Sequence, residues 1–246
     1  MVEKKLLTIG EAADFLGVSI QTLRRWDLSG NLKSIRLNPK GNRYYNIEDL
    51  RLMLNDLSKL AWEWVSKDFG NEPAGEFYCA TSDIFGARLD KMMVELERKN
   101  DFEIDFSLIV FAVGEIGNNS YDHNLGNWPD IPGIFFGYDL IKKQIVIADR
   151  GRGVLETLKN VRPGLGSHKE ALSVAFSEII TGRFPERRGN GLKSVRHIIS
   201  SNSIELMFKT GDAQLNLNRG NAGLDNLNII ETQETFHGCY AVLKFK

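Results

Sequence analysis

The feature that most limits the folds open to this chain is a strand that runs directly into a paired-glycine turn. Lys143-Gln144-Ile145-Val146-Ile147-Ala148 is rich in β-branched residues and reads as a buried strand, and it ends in Asp149-Arg150-Gly151-Arg152-Gly153. An aspartate at a strand end can accept a hydrogen bond from an exposed amine, while bare glycine backbone beside it lets a flat ring approach. Further along, Arg187-Arg188-Gly189-Asn190-Gly191-Leu192-Lys193-Ser194-Val195 opens an apolar helix carrying Leu192, Val195, Ile198 and Ile199. Glycines at a helix N-terminus aim free N–H groups and the positive end of the helix dipole at an anion. The spacing is not that of a Walker A loop, and no G-x-G-x-x-G follows a strand.

Composition narrows the class. With 246 residues, at roughly 150 residues per domain, the chain is one large domain or two unequal ones. Hydrophobic residues at 42% and charged residues at 26% argue against wholesale disorder. The longest apolar run, Leu108 to Val113, is far shorter than the roughly 18 residues a membrane span needs. The N-terminus lacks an apolar signal-peptide core. Cys79 and Cys239 are the only cysteines and form no CxxC pair, so neither a disulfide framework nor a structural zinc is expected, and a cytoplasmic location is.

The net charge of −1 hides an uneven distribution. Residues 1–60 hold ten lysines and arginines against seven acidic residues, whereas the remainder is net negative. Between residues 20 and 45, Arg24, Arg25, Lys33, Arg36, Lys40 and Arg43 face a single acid, Asp27. A small basic module joined to a larger, mildly acidic one is the organisation this implies.

In the basic module Thr8 and Glu11 form a capping-box pair, and Ala12, Ala13, Phe15 and Leu16 supply the apolar face of a first helix. Gly17 ends it, and Ser19 caps a second helix through Trp26, with Leu23 and Trp26 facing inward. Gln21, Arg24 and Arg25 share the outward face, where one amide and two guanidinium groups suit a major groove. A hairpin wing turns at Asn38-Pro39-Lys40-Gly41-Asn42. Arg43 and Tyr45 lie at its exit, placed to touch phosphate, and Asn46 caps the next helix. The I-G-E-A-A opening, G-V-S turn, T-L-R-R-W helix and G-x-R-x-Y wing followed by E-D-L resemble the winged helix-turn-helix of MerR-type regulators and phage excisionases. That resemblance implies double-stranded DNA as the partner, read through Gln21, Arg24, Arg25, Arg43 and Tyr45. Leu50, Met53, Leu54, Leu57 and Leu60 extend one linking helix from Ile47 to about Lys67, and a homodimer is expected. Phe69-Gly70-Asn71-Glu72-Pro73-Ala74-Gly75 sets the boundary between a module at 1–70 and one at 75–246.

In the second module Phe85, Leu89, Met92, Met93 and Leu96 mark one helix, and FSLIVFAVGEIGNNSYDHN a second. Glu115, Asn119, Asp122 and His123 line one side of the latter. An amide oxygen suits a hard cation such as Mg²⁺, and a carboxylate one turn away can orient or deprotonate water. Taken in order, E-x-x-x-N, D-x-G-x-G and G-x-G-L resemble the GHKL, or Bergerat, ATP-binding fold of gyrase, histidine kinases and MutL. The expected fold class is therefore α/β (α+β): an N-terminal winged helix-turn-helix, then an α/β sandwich with helices on one face of a mixed sheet.

By that resemblance Asp149 bonds the adenine amino group, Gly151 and Gly153 flank the ring, and Asn119 holds Mg²⁺. Gly189, Gly191 and Leu192 form the phosphate loop, and Glu115 is the water-activating catalytic residue. The terminal Gly238-Cys239-Tyr240-Ala241-Val242-Leu243-Lys244-Phe245-Lys246 resembles the last strand of the fold. Arg187 stands where the third motif usually begins with glycine, and no phosphoacceptor-histidine hairpin precedes the fold. His123 reads as structural, and residues 211–235, rich in Asn and Gly, as an irregular insertion. The implied function is a DNA-binding transcriptional regulator that binds ATP and Mg²⁺, hydrolyses ATP slowly and couples nucleotide state to DNA. Alternatives are a serine protein kinase or anti-sigma-like switch acting on a protein partner, and a DNA-processing ATPase of mobile-element origin. No membrane partner is expected.

Overall fold

The computed structural model describes residues 6–16, 20–30, 32–36, 38, 41–54, 56–70, 72–73, 75, 77–99, 101–178, 191–223, 225 and 227–246, with only the backbone described at 22, 29 and 51–54. The Gly-Val-Ser turn, Pro39 and Lys40 of the wing turn, Arg187 and Gly189 lie outside the described residues.

Strand β1 (Leu6–Thr8) leads into α1 (Ile9–Leu16). The Thr8 N–H donates to Glu11 Oε2 at 2.8 Å and the Glu11 N–H donates to Thr8 Oγ1 at 3.3 Å, the reciprocal cap the sequence predicts. Helix α2 (Ile20–Ser29) runs past Trp26, and both Leu23 and Trp26 are buried. β2 (Ile35–Arg36) and β3 (Arg43–Asn46) form the wing, and β1 pairs with the other edge of β3. Asn46 Oδ1 accepts the Glu48 N–H at 3.0 Å and starts α3 (Ile47–Leu54).

The single linking helix expected from Ile47 to Lys67 is two helices. α4 (Leu57–Val65) starts afresh at Asp56, whose Oδ1 accepts the Lys59 N–H at 3.1 Å. A short carboxylate bonding the backbone just ahead of it favours a new cap over a continued helix. The leucine periodicity runs through this break, so apolar spacing alone cannot show it.

The second module contains, in order, β4 (Tyr78–Cys79), α5 (Ser82–Lys99), α6 (Phe106–Asn124), β5 (Ile134–Asp139), β6 (Gln144–Asp149), α7 (Gly153–Lys159), α8 (His168–Ser177), α9 (Gly191–Ser201), β7 (Ile204–Thr210), β8 (Ala213–Leu217), β9 (Ile229–Glu231) and β10 (Cys239–Phe245). The strands form one sheet in the order β4-β5-β6-β10-β7-β8-β9. The sheet expected to be mixed is antiparallel at every pairing among the described residues. The reason lies in β10. The crossover through α7, α8 and α9 makes β6 and β7 run the same way, but β10 inserts between them and is antiparallel to both.

Strand periodicity of two sorts the side chains onto two faces. Ile134, Phe136, Ile145, Ile147, Leu206, Phe208, Ala241 and Leu243 pack with Phe85, Met92 and Leu96 of α5, Ile109, Val113 and Ile116 of α6, and Val195 and Ile199 of α9. On the other face Phe135, Val146, Ala148, Tyr240 and Val242 pack with Leu57, Leu60, Ala61, Trp64 and Val65 of α4. Helices α5, α6 and α9 thus lie on one face, as expected, and the other face of β5, β6 and β10 is covered by α4 from the first module. A continuous apolar strand such as β6 demands this, because leaving either face wet would expose its valine and isoleucine side chains. Trp62 completes the seam, edge-on to Phe236 at 5.2 Å and to Tyr240 at 5.3 Å between ring centroids, with Lys209 Nζ 4.3 Å above its ring.

Residues 211–235 are not one irregular insertion. β8 and β9 lie there, and Ala213, Leu215 and Leu217 are buried in strict alternation beneath the Asn-rich composition.

Candidate functional site

Asp149, the last residue of β6, is 1% exposed. The Ser120 hydroxyl on α6 donates to its Oδ2 at 2.7 Å, and the Gly151 N–H donates to its Oδ1 at 2.9 Å. Burial pushes the carboxyl above its usual range, opposed by the bonds from Ser120 and Gly151. Cys239 stands opposite Asp149 in the β10–β6 register, and burial, followed by the nearby carboxylate, holds its thiol well above the ordinary value.

The two glycines after Asp149 are needed for close approach. A β-carbon on Gly151 would collide with the Asn124 side chain, and one on Gly153, where φ is +74°, would meet Thr210 Oγ1. Asn124 and Thr210 were not singled out in the sequence, yet both brace this turn. Asn124 Oδ1 accepts the Arg152 N–H at 2.9 Å and its Nδ2 donates to the Ser120 carbonyl at 2.8 Å. Thr210, fully buried, donates to the Gly238 carbonyl at 2.8 Å and accepts the Val154 N–H at 3.2 Å. Asn and Thr lack a signal of their own at these positions, because only the tertiary fold brings the end of α6 and the end of β7 to the glycine turn.

Gly191 begins α9, and a β-carbon there would strike Glu115 Oε2, with Asn119 Nδ2 next nearest. Glu115, Asn119 and Ser120 all lie on α6. One helix thus meets the start of α9 through Glu115 and Asn119, and the end of β6 through Ser120. Leu192 is half-buried against the core under α9. His123 is on the same helix; burial, then the charge of Arg152, lowers its pKa, and Arg152 donates to its backbone carbonyl at 2.7 Å. Among the described residues no group of three or more His, Cys, Asp or Glu forms a metal cage. A lone amide oxygen fits Mg²⁺, which protein sites commonly hold through few side chains together with substrate phosphates.

On the helix-turn-helix, Gln21 and Arg24 are exposed. Arg25, also exposed, forms an ion pair with Glu63 of α4 at 3.1 Å. Arg43 donates to Asp27 at 2.7 Å, and Arg36 lies 3.6 Å from the same carboxylate. Burial opposes the charge on Asp27, but hydrogen bonds from Arg43 and Ser34 outweigh it and hold the carboxyl down at about 2. Tyr45, expected at the DNA backbone, is a core residue instead: it is fully buried, and its hydroxyl donates to the Leu23 carbonyl at 3.2 Å. Tyr45 lies on the side of β3 that packs on the helices, next to Leu23.

Arg150 is the buried charge that the sequence did not flag. Its Nε donates to Asp130 at 2.7 Å, and its Nη1 donates to the carbonyls of Trp64 at 2.8 Å and Val65 at 3.2 Å.

These features define a chain in which a winged helix-turn-helix is packed through α4 against an antiparallel sheet whose strand β6 runs into a glycine turn. Residues 8–45 match the family model described as MerR family regulatory protein, which places a MerR-type helix-turn-helix at this end of the chain. The chain is 46% identical over 48 residues to the type II methyltransferase M.Eco47II of Escherichia coli, a stretch that is 20% of this chain and 12% of that protein. Solved structures similar to the chain include the 43K ATPase domain of Thermus thermophilus gyrase B in complex with an aminocoumarin, at 16% identity and a TM-score of 0.33, covering 55% of this chain and 33% of that one. Another is the ATP-binding domain of Francisella tularensis topoisomerase IV in complex with a small-molecule inhibitor, at 16% identity and a TM-score of 0.35, covering 62% and 40%. Among the described residues no helix is long and apolar enough to cross a membrane.

Proposed function

We propose that this chain is a DNA-binding regulator whose second module binds ATP with Mg²⁺, hydrolyses it slowly, and lets the nucleotide state set the affinity for DNA. The observation that carries the reading is the convergence on α6: Ser120 holds Asp149, while Glu115 and Asn119, within five residues of it on the same helix, abut Gly191. That convergence supports the reading because it brings two carboxylates, an amide and a helix N-terminus to one stretch of α6.

In this reading Asp149 accepts a hydrogen bond from the adenine amino group, and its orientation is set by Ser120 and Gly151. Gly151 and Gly153 leave room for the ring. Gly191 and Leu192, at the start of α9, face the phosphates together with Gly189 of the same motif. The Asn119 amide oxygen takes part in holding Mg²⁺, which when bound neutralises phosphate charge. Glu115 accepts a proton from a water whose oxygen bonds to the γ-phosphorus as the bridging bond to ADP breaks. On the first module Gln21 and Arg24 meet base edges, Arg25 joins them when released from Glu63, and Arg43, released from Asp27, meets the phosphate backbone. A homodimer in the cytoplasm is the setting proposed.

The test is a thermal-shift comparison of ATP, ADP and GTP with Mg²⁺, run beside duplex-DNA titrations with and without ATP. Selective stabilisation by adenine nucleotides together with an ATP-dependent duplex affinity supports the reading. Phosphate transfer from γ-labelled ATP to a protein, with duplex affinity indifferent to ATP, replaces it with a protein kinase.

A further inference from the structure

Asp149 ends β6 and Arg150 follows it directly, and their side chains leave opposite faces of the sheet. Asp149 enters the pocket beside α6, and Arg150 enters the seam beside α4. There its guanidinium, 6% exposed, is held by the Asp130 carboxylate and by the carbonyls of Trp64 and Val65 at the C-terminal end of α4, with the Asp68 carbonyl 3.5 Å away. A cation at this end of a helix is favoured by the helix dipole, and the planar fork satisfies several acceptors at once. Gly70 makes the room: a β-carbon there would run into Arg150 Nε. The residue just before this grip is Glu63, and its carboxylate holds Arg25 of the recognition helix at 3.1 Å.

We propose that Arg150 transmits the state of the nucleotide pocket to the recognition helix, by gripping the end of the helix whose Glu63 holds or releases Arg25. The inference rests on the ATP-coupled reading above and gives that coupling a residue. The Arg25–Glu63 pair is the two-state element. Closed, Arg25 spends its guanidinium on α4; open, its fork is available to DNA. A shift of β6 at Asp149 moves the Arg150 backbone by necessity, and the bonds to Trp64 and Val65 carry the movement into the last turn of α4. Lys67 belongs to the same cluster: burial, then the charge of Arg25 and, against the pull of Glu63, that of Arg150, bring its ammonium down to about 8. Because coupling is reciprocal, DNA that draws Arg25 from Glu63 changes ATP affinity by the same factor.

The experiment uses the full chain, a fluorescein-labelled duplex of random sequence at low salt, and a non-hydrolysable ATP analogue with Mg²⁺. Duplex affinity is read by anisotropy with and without the analogue. For the wild type the ratio of the two affinities is expected to differ from unity by about fivefold or more. Arg150→Met is expected to bring the ratio to within about twofold of unity while the analogue still binds. Glu63→Gln, which keeps the size of the side chain and removes its charge, is expected to raise analogue-free duplex affinity about two- to fivefold, the scale of a weak ion pair, and to shrink the ratio. A second readout is amide exchange at residues 64–67, which is expected to respond to the analogue in the wild type and not in Arg150→Met. A wild-type ratio of unity overturns the regulator reading and this link with it. A wild-type ratio preserved in Arg150→Met overturns only the link. If Arg150→Met does not fold, Glu63→Gln decides: unchanged affinity and ratio overturn the link, and the expected changes support it.

Discussion

The Ser120 hydroxyl donates to Asp149 Oδ2 across 2.7 Å, joining the C-terminal part of α6 to the end of β6 at a carboxylate that water hardly reaches. The bond does two things at once. It sets the rotamer of Asp149, and it stabilises the ionised form that burial disfavours.

A base-reading role for Asp149 makes a definite pair of expectations. Asp149→Asn replaces an acceptor by a group that also presents a donor, and adenine-nucleotide stabilisation in a thermal-shift assay is expected to vanish. Ser120→Ala leaves the carboxylate in place but unanchored, and is expected to weaken ATP binding by about 1 kcal/mol, close to fivefold. ATP affinity unchanged in Asp149→Asn refutes the pocket assignment.

Glu115 and Asn119 sit one helical turn apart and both approach Gly191, yet their expected phenotypes differ. Glu115→Ala is expected to bind ATP and lose turnover by about 10²-fold or more, the usual scale for a lost general base. Asn119→Ala is expected to lose the Mg²⁺-dependent part of binding itself. Calorimetry with and without Mg²⁺, beside phosphate-release rates, separates the two; equal turnover in Glu115→Ala and wild type removes Glu115 from the chemistry.

On the DNA side, exposure divides residues that the sequence grouped together. Arg24→Ala is expected to weaken duplex binding by about 1–3 kcal/mol if it makes a bidentate base contact. Tyr45→Phe removes a buried bond to the Leu23 carbonyl and is expected to cost stability of about 0.5–1.5 kcal/mol, with duplex affinity of the folded protein unchanged. A salt-dependent loss of affinity in Tyr45→Phe would return the tyrosine to the DNA face.

Asp27 gives the first module an acid sensitivity. Its carboxyl is held at about 2 in the folded chain against an ordinary 3.8, so its contribution is present above about pH 3.8 and is lost as pH falls towards 2. Asp27→Asn is expected to destabilise the module by about 1–3 kcal/mol at neutral pH and to flatten the stability profile between pH 4 and pH 2. Parallel profiles for the two proteins would show that Asp27 is not the titrating group.

Much of this arrangement is readable along the chain because it is local. Thr8 with Glu11, and Asn46 ahead of Ile47, announce helix starts by bonds spanning two or three residues. Leu23 and Trp26 face inward because helical spacing requires it. Other features are hidden because one sequence pattern is compatible with two structures. The leucines from Leu50 to Leu60 keep helical spacing across the restart at Asp56, and the polar composition of 211–235 hides the alternation of Ala213, Leu215 and Leu217.

What the sequence by itself determined is the helix-turn-helix at the N-terminal end, the helix starts and the inward-facing residues, since caps and periodicity act between near neighbours. The tertiary structure alone decided how the modules meet. The Arg25–Glu63 pair spans 38 positions, and the bond from Arg150 to the Trp64 carbonyl spans 86. Ser120 reaches Asp149 across 29 positions. No local pattern encodes such pairs, because they form only when burying both faces of β6 drives α6 onto one side of the sheet and α4 onto the other.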